Sequence, residues 1–325
     1  MSDDYCPTVS VAMGTRDGEA FIVEQLRSIV EQTYQPSEIV LCDDASTDDT
    51  VALAVAVVEG TGIALTVLRN PTPLGVTANF QRAIAACTAE FIALSDQDDR
   101  WHSDRLAKVM PLFSERPRLL LVHCDAVLVD ATGSPTGVSL LDAIEVGSRD
   151  RRRIQRGAAL DLLLRRNVIT GATVVFRKSL AEQARPFPSS WLHDEWLAVM
   201  AAVLGEVDLV DEPLVDYRQH GGNQIGARRL GVIEKIGRIQ EPRAVRNARL
   251  EARAVALAER LRGSAALVAV QLLADEKREH ERIRNALPAN RLARIAPVLG
   301  QLARGRYTRF GRGIVDAARD LMQPA

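Results

Sequence analysis

Three carboxylates, Asp96, Asp98 and Asp99, follow an apolar run in the segment ALSDQDDRW. A turn at Gln97 would let Asp96 and Asp98 reach one hard cation and would leave positions for water and for phosphate oxygens. Mg²⁺ or Mn²⁺ is the natural occupant of such an oxygen-rich site. A structural alternative stays open, because Asp99 or Ser103 could instead cap the helix that follows.

Polar side chains also follow two earlier apolar runs. Thr15 and Arg16 come after VSVAMG, and Asp43 and Asp44 come at the end of EIVLCDD. A carboxylate at the end of a strand can accept a hydrogen bond from a pyrimidine imide or a ribose hydroxyl. The pattern is therefore compatible with a nucleoside site, although the charges of Asp43 and Asp44 alone are more typical of a turn.

A third group, His193, Asp194 and Glu195, precedes an apolar helical pattern in WLHDEWLAVMAA. A carboxylate there can cap the helix, or it can act as a general base if the helix begins inside a cleft. Downstream, His220 is followed by two glycines, and a flexible turn there could carry its imidazole to a metal site. An isolated histidine is also a common structural residue, so both interpretations stay open.

The elements that would position these residues alternate between strands and helices. Apolar runs predict strands at 8–13, 38–44, 64–70 and 90–96, and helical patterns separate them at 19–31, 50–58 and 77–87. This alternation predicts an α/β fold with a mostly parallel sheet, in which ligands bind at the carboxyl ends of the strands. A dinucleotide site is disfavoured because the glycines after the first strand do not have the GxGxxG spacing.

Charge divides the chain, although its 325 residues carry a net charge of only −1. Residues 1–225 contain 20 basic and 32 acidic residues, whereas 226–325 contain 21 and 10. We therefore predict an acidic domain at 1–225 and a basic helical region at 226–325, which contacts a membrane surface, forms a homo-oligomer or packs on the acidic domain. Few aromatics lie among the basic residues, which argues against nucleic acid.

Cellular location follows from the cysteines and from the apolar runs. The four cysteines lack disulfide or zinc-ligand spacing, the N-terminus lacks a basic signal region, and no apolar run is long enough to span a bilayer. We expect a cytoplasmic protein, peripheral at the inner face of the plasma membrane if the basic region binds lipid.

The order of the motifs resembles family 2 glycosyltransferases of the GT-A fold, and most closely their bacterial rhamnosyltransferase-like members. VAMGTRDGEAFIVEQLRSIVEQTYQPSEIVLCDDASTDDT resembles the opening strand, helix and nucleotide-contacting strand of that family, and ALSDQDDRW its DxD metal motif. TGATVVFRKSL and WLHDEWLAVMAA are similar to the acceptor-side strand and the helix that carries the catalytic acid residue. DEPLVDYRQHGGNQIG resembles the closing segment.

The resemblance implies a role for each candidate residue. Asp96 and Asp98 would contact the metal and the donor, with His220 as a further metal or diphosphate ligand, and Asp194 would be the general base. The donor's nucleotide would lie near Thr15, Arg16, Asp43, Asp44 and Asn79. One departure is TRDG, which stands where TYNG is commoner and implies altered donor contacts at Arg16.

The chemistry implied is an inverting, metal-dependent transfer from a nucleotide-sugar to a hydroxyl of a glycan or lipid-linked acceptor. L-Rhamnose from dTDP-rhamnose is the sugar that the resemblance favours. Two alternatives stay open: transfer of galactofuranose, glucose or an N-acetylhexosamine from a UDP-sugar, or a catalytically inactive GT-A scaffold at the membrane surface.

Overall fold

The computed structural model describes residues 7–220, 243–262 and 267–324. The chain forms two compact units. The first comprises Met1–Gly157, Val168–Phe187 and Leu192–Ala227, and the second comprises Ala158–Asn167, Pro188–Trp191 and Arg228–Ala325. Two short segments from the acidic part of the sequence therefore belong to the second unit. The predicted boundary at 225/226 lies outside the described residues.

The first unit begins with the predicted alternation of strands and helices. Its elements are β1 (Val9–Thr15), α1 (Ile22–Val30), β2 (Glu38–Asp43), α2 (Thr50–Val58), β3 (Ala64–Arg69), α3 (Val76–Ala86) and β4 (Phe91–Ser95). These four strands pair in parallel in the order β3-β2-β1-β4. Every residue of β2 and β4 is buried, as expected for parallel strands that are covered on both faces.

The rest of the first unit extends the sheet with antiparallel and parallel pairs. Its elements are β5 (Arg100–Trp101), α4 (Arg105–Glu115), β6 (Leu119–Val129), β7 (Pro135–Ser139), α5 (Leu140–Ala143), α6 (Ser148–Gln155), β8 (Val174–Arg177), α8 (Lys178–Ala184), α9 (His193–Leu204) and β9 (Glu206–Arg218). Helix α7 (Leu160–Leu163) lies in the second unit. The sheet continues from β4 as β8-β6-β9-β5, with β7 paired to β6. The α/β fold expected from the sequence is confirmed.

One pairing in this sheet joins segments that are far apart in sequence. The short strand β5 pairs antiparallel with β9, so that Arg100 lies opposite Asp216 and Trp101 opposite Val215. Asp216 reinforces the pairing by accepting hydrogen bonds from Arg100 Nε at 2.8 Å and from His102 Nε2 at 3.0 Å. The residues just before β5 are thereby held beside the end of β9.

The second unit is helical in its described residues, as the sequence predicts. Its C-terminal elements are α10 (Arg243–Leu261), α11 (Val268–Asn285), α12 (Ile295–Ala303), α13 (Arg306–Phe310) and α14 (Ile314–Met322). None of the helices in the described ranges is both long and apolar enough to span a bilayer.

Buried charge holds these helices together. Asp320 of α14 is fully buried and accepts hydrogen bonds from Arg246 Nη2 at 2.8 Å, Arg284 Nε at 2.6 Å and Tyr307 Oη at 2.9 Å. One carboxylate therefore links α10, α11, α13 and α14. Arginine suits this role because its planar guanidinium makes several directed hydrogen bonds at once.

We expect Asp320→Asn to destabilise the protein by about 3 kcal/mol, because the change removes the buried carboxylate that Arg246 and Arg284 share, although Arg284 keeps its pair with Glu281. Chemical denaturation would measure the free energy of unfolding. The matched control is Glu279→Gln, which removes an exposed pair with Arg282 and should cost no more than about 1 kcal/mol. Equal losses in the two variants would contradict the assigned role of Asp320.

Candidate active site

The acidic loop after β4 is fixed to the end of β1 by the side chain of Gln97. Its Nε2 donates to the carbonyl of Arg16 at 2.9 Å, and its Oε1 accepts from the backbone N–H of Arg16 at 2.7 Å. Gly18 is required beside it, because a Cβ at that position would lie 2.3 Å from Gln97 Oε1. The Arg16 backbone and the Asp96–Asp98 turn therefore form one unit, whereas the Arg16 side chain is exposed.

Asp98 and His220 are in direct contact, although 122 positions separate them in sequence. The Nε2 atom of His220 lies 2.7 Å from Asp98 Oδ2, and the imidazole stacks on Phe21 with ring centroids 4.8 Å apart. Two of the three predicted metal ligands therefore meet. The glycines predicted to form a turn after His220 lie outside the described residues.

Arg218 is the residue that connects this pair to the rest of the first unit. It is almost fully buried, and its Nε donates to the carbonyl of Asp98 at 2.8 Å while its backbone N–H donates to Asp99 Oδ1 at 3.0 Å. Its two terminal nitrogens donate to the carbonyl of Ala131 at 3.2 Å and to Glu24 Oε2 at 2.6 Å. One guanidinium thus joins the end of β9, the acidic loop, the β6–β7 turn and α1.

Asp99 does not cap the following helix, and neither does Ser103. Helix α4 begins after Asp104, and the short strand β5 separates it from the acidic loop. Asp99 is instead buried, and burial together with the charges of Asp98 and Asp96 raises its pKa well above the usual range. Its part in the site is to receive the backbone N–H of Arg218.

Asp194 lies in the first turn of α9, where two backbone amides orient its carboxylate. Oδ2 accepts from the N–H of Gly171 at 2.9 Å, and Oδ1 accepts from the N–H of Glu195 at 2.7 Å. The side chain of Asp194 is buried, with 8% of its surface exposed. The helix begins at His193, so Asp194 is not its N-cap residue, and an oriented carboxylate in the first turn can accept a proton.

A stack of rings holds the start of α9 in place. The imidazole of His193 lies parallel to the ring of Phe80 with centroids 4.1 Å apart, and Phe80 packs on Gly14 of β1. A Cβ on Gly14 would come within 2.9 Å of Phe80 Cε2, so this close approach requires glycine. Burial lowers the pKa of His193 to about 3, and the imidazole is therefore neutral.

Electrostatics show that Asp194 and the acidic loop share one region. Desolvation by the surrounding protein raises the pKa of Asp96 to about 7, and the neighbouring charges of Asp98 and Asp194 add to the rise. The pKa of the Tyr217 hydroxyl is raised by burial and by the same acids, so that this group stays protonated. Asp98 and Asp194 therefore both lie within interaction distance of Asp96.

The predicted nucleotide-contacting residues divide into two sets. Thr15 and Asp43 stand opposite each other on β1 and β2, and Thr15 Oγ1 donates to Asp43 Oδ1 at 3.0 Å. The other carboxylate oxygen of Asp43 accepts from the backbone N–H of Ser46 at 3.0 Å. This first set lies at the carboxyl ends of parallel strands, where α/β folds bind ligands.

The second set, Asp44 and Asn79, forms an internal network. The Asp44 carboxylate accepts from Asn70 Nδ2 at 2.8 Å and from the backbone N–H groups of Leu74 at 2.7 Å and Gly75 at 3.0 Å. Asn79 accepts from Asn70 Nδ2 at 2.8 Å and donates to the carbonyl of Cys42 at 2.7 Å. Both residues therefore organise the β3–α3 loop, and a direct donor contact by either stays a prediction.

The side chains at the acidic loop supply only part of the ligands that a hard cation needs. Across residues 7–220, 243–262 and 267–324, no three acidic, histidine or cysteine side chains are arranged as a complete cation site. Mg²⁺ and Mn²⁺ sites in nucleotide-using enzymes commonly take only one or two protein ligands and complete their shell with phosphate oxygens and water. Asp98 and His220 provide such a pair, with the half-buried Asp96 beside them.

Several residues that build the site were not predicted from the sequence. Arg218, Gln97 and Phe80 contact predicted site residues, yet their types carry no motif of their own. Only their positions in the sequence pointed to the site, since Gln97 lies between two predicted ligands and Arg218 lies two residues before His220.

We expect Arg218→Lys to cost on the order of 3 kcal/mol of stability, because a lysine cannot replace the fork of hydrogen bonds that Arg218 makes. The change in the free energy of unfolding can be measured by urea denaturation. Arg118→Lys, at an exposed arginine of the same unit, is the control and should change stability by less than about 1 kcal/mol. A value for Arg218→Lys as small as that of the control would disprove the central position of this residue.

Comparisons with known proteins agree with this architecture. The family model described as Glycosyl transferase family 2 matches residues 10–182. Putative glycosyltransferase EpsE of Bacillus subtilis is 30% identical over 127 residues, which are 39% of this chain and 46% of EpsE. The chain thus spans about half of EpsE. The dTDP-rhamnosyl transferase RfbG of Shigella flexneri is 26% identical over 252 residues, covering 73% of this chain and 84% of RfbG.

A solved structure shows the same fold. The mannosyltransferase PcManGT from Pyrobaculum calidifontis, in complex with GDP-Man and Mn²⁺, superposes with a TM-score of 0.52 and 21% sequence identity, covering 92% of this chain and 76% of that one. The GT-A fold expected from the sequence is thereby confirmed. Because the matched family model covers more than half of the 325 residues, this chain belongs to glycosyl transferase family 2.

Proposed function

We propose that the protein transfers a sugar from a nucleoside diphosphate donor to an acceptor hydroxyl, with inversion at the anomeric carbon and with Asp194 as general base. The observation that supports this most is the clustering of Asp194 with Asp96 and Asp98. A base and a diphosphate-binding loop must lie together, because the acceptor oxygen attacks the carbon from which the diphosphate leaves.

In this reaction one bond forms as another breaks. The acceptor oxygen forms a bond to the anomeric carbon and transfers its proton to an oxygen of Asp194, while the bond from that carbon to the diphosphate oxygen breaks. The electron pair of the broken bond stays on the diphosphate. The amide contacts from Gly171 and Glu195 fix the direction in which the Asp194 carboxylate accepts the proton.

A divalent cation would be held by Asp98 and His220, with Asp96 beside them. When bound, such an ion neutralises charge that develops on a leaving diphosphate. The contribution of the chain is to hold Asp98, which follows β4, beside His220, which follows β9, because Gln97 and Arg218 fix the acidic loop. As the ion binds, the hydrogen bond between His220 and Asp98 would break, or the ion would share these two side chains with it.

The nucleoside would lie at the ends of β1 and β2. Thr15 and Asp43 are joined by a hydrogen bond there, and the Arg16 backbone is fixed to the acidic loop. The Arg16 side chain is exposed and can reach an anionic donor. Asp44 and Asn79 would act by holding the β3–α3 loop at the edge of this site.

For the donor we propose dTDP-rhamnose. This proposal is supported by the similarity to RfbG, which is named a dTDP-rhamnosyl transferase. The match covers 84% of the length of RfbG. A UDP-sugar is the alternative donor. The acceptor would be a hydroxyl of a glycan or of a lipid-linked saccharide.

We expect Asp194→Asn to lower the rate of transfer by about 10²- to 10⁴-fold and to leave the dissociation constant of the donor nearly unchanged. The amide keeps the shape of the carboxylate but cannot take the acceptor proton. Release of nucleoside diphosphate measures turnover, and calorimetric titration measures donor binding.

Glu195→Gln is the matched control for this test, since it changes the adjacent carboxylate in the same helical turn. Its rate should stay close to that of the unaltered protein. Normal turnover of Asp194→Asn would disprove its role as the base, and absence of turnover in the unaltered protein with dTDP- and UDP-sugars would favour the inactive scaffold.

We also expect the donor and Mn²⁺ to stabilise the protein together, since a ligand that binds only the folded state raises its melting temperature. A thermal-shift panel of thymidine, uridine and guanosine diphosphates and their sugars, with and without Mn²⁺, would identify the base. Asp98→Asn should abolish the part of the shift that depends on Mn²⁺. A shift of the same size in that variant would contradict the assignment of Asp98.

A further inference from the structure

Helix α12 in the second unit has an apolar face that its own unit does not cover. Val298 and Gln301 point inward and are buried. The opposite side presents Ile295 and Leu299, which are 44% and 55% exposed, and Leu292 in the turn just before the helix is 76% exposed. We call these three residues the α12 strip.

The exposure of the strip is unusual because the helix contains no charged residue. A surface helix normally turns a polar face to water, and a helix that is apolar all round is normally buried. In IAPVLGQLA the outward positions are apolar too, and the residues Ala296 and Ala303 extend the same exposed side. An apolar surface of this kind marks a place of contact with another body.

Positive charge lies at both ends of the strip. The 34 residues from 282 to 315 contain eight arginines and no acidic residue, and most of these arginines are buried or paired with acids of α11 and α14. Arg291 and Arg304 lie at the two ends of the strip, and both are exposed. Neither has an ion-pair partner within the described ranges, whereas Arg246 and Arg284 pair with Asp320.

We propose that the α12 strip docks on an anionic membrane surface. Leucine and isoleucine side chains would enter the boundary between headgroups and acyl chains, and Arg291 and Arg304 would contact lipid phosphates on either side. Interfacial helices combine these two contributions, because burial of apolar area and attraction to anionic lipids add to each other. This inference does not depend on the reaction proposed above.

The charge of this surface favours a membrane over a second copy of the chain or residues 221–242 as the partner of the α12 strip. In a symmetric contact between two copies, the arginines at the ends of one strip would face the same arginines of the other, which is unfavourable. Residues 221–242 of this chain contain four basic and two acidic residues and so do not complement the surface either. Nucleic acid is disfavoured because exposed leucine and isoleucine do not stack on bases.

Co-sedimentation of the full chain with lipid vesicles tests the proposal. We expect binding to vesicles that contain phosphatidylglycerol and not to vesicles of phosphatidylcholine alone. Leu299→Asp should weaken binding by about ten- to a hundred-fold, because it removes an exposed leucine that would enter the lipid and adds a charge repelled by the anionic headgroups. Arg291→Gln should weaken it by about five-fold.

The control is Val245→Asp, which introduces the same charge at an apolar position of α10 that is 80% exposed. It should bind vesicles as well as the unaltered chain. Binding unaffected by Leu299→Asp, or weakened equally by Val245→Asp, would overturn the proposal. So would a preference for a single-stranded oligonucleotide over vesicles, or a dimer that Leu299→Asp dissociates in the absence of lipid.

Discussion

The site depends on one buried guanidinium, that of Arg218, which ties the acidic loop to the strand that leads to His220. It acts together with the pairing of β5 with β9 and with the direct contact between His220 and Asp98. The hydrogen bonds from Arg218 to the Asp98 carbonyl and to Glu24 fix the loop against both the sheet and α1. Rigid support of this kind is what a reaction needs when two partners must meet in a fixed geometry.

Carboxylates that lie close together in the first unit repel one another, and this repulsion has an energetic cost. Burial and the charges of Asp98 and Asp194 raise the pKa of Asp96, and burial with the charges of Asp98 and Asp96 raises that of Asp99, which Arg105 partly offsets. Such clusters are uncommon in structural regions and common at functional sites, because a positively charged ligand or ion can relieve the repulsion. In the second unit, Arg246 and Arg284 pair with the buried carboxylate of Asp320, whereas other arginines lie at the surface.

Much of the first half of the fold could be predicted from the sequence, because period and length of the apolar runs decide the local structure. Strands β1 to β4 and helices α1 to α3 lie within a few residues of their predicted positions. The three strand ends converge as expected, since parallel strands place their carboxyl ends on the same edge. Helices α10 and α11 also follow the amphipathic patterns that predicted them.

The remainder could not be predicted because it rests on contacts between distant segments. The predicted cap at Asp99 was wrong, since pairing of β5 with β9 takes the residues that would have begun the helix. Asp44 and Asn79 have the residue types of ligand contacts, yet their hydrogen bonds are internal, and periodicity cannot distinguish the two. For His220 the sequence left a metal ligand and a structural residue both open, and the resemblance to a family favoured the interpretation that brings it to Asp98.

Asp98 and His220 are proposed to hold one cation beside Asp194. Anomalous X-ray diffraction from crystals of the protein with Mn²⁺ and dTDP would test this arrangement, because the manganese signal locates the ion without assumptions about its ligands. We expect a peak within coordination distance of Asp98 and His220, in contact with the diphosphate. A peak elsewhere, or a well-ordered diphosphate in this crevice without any manganese signal, would contradict it.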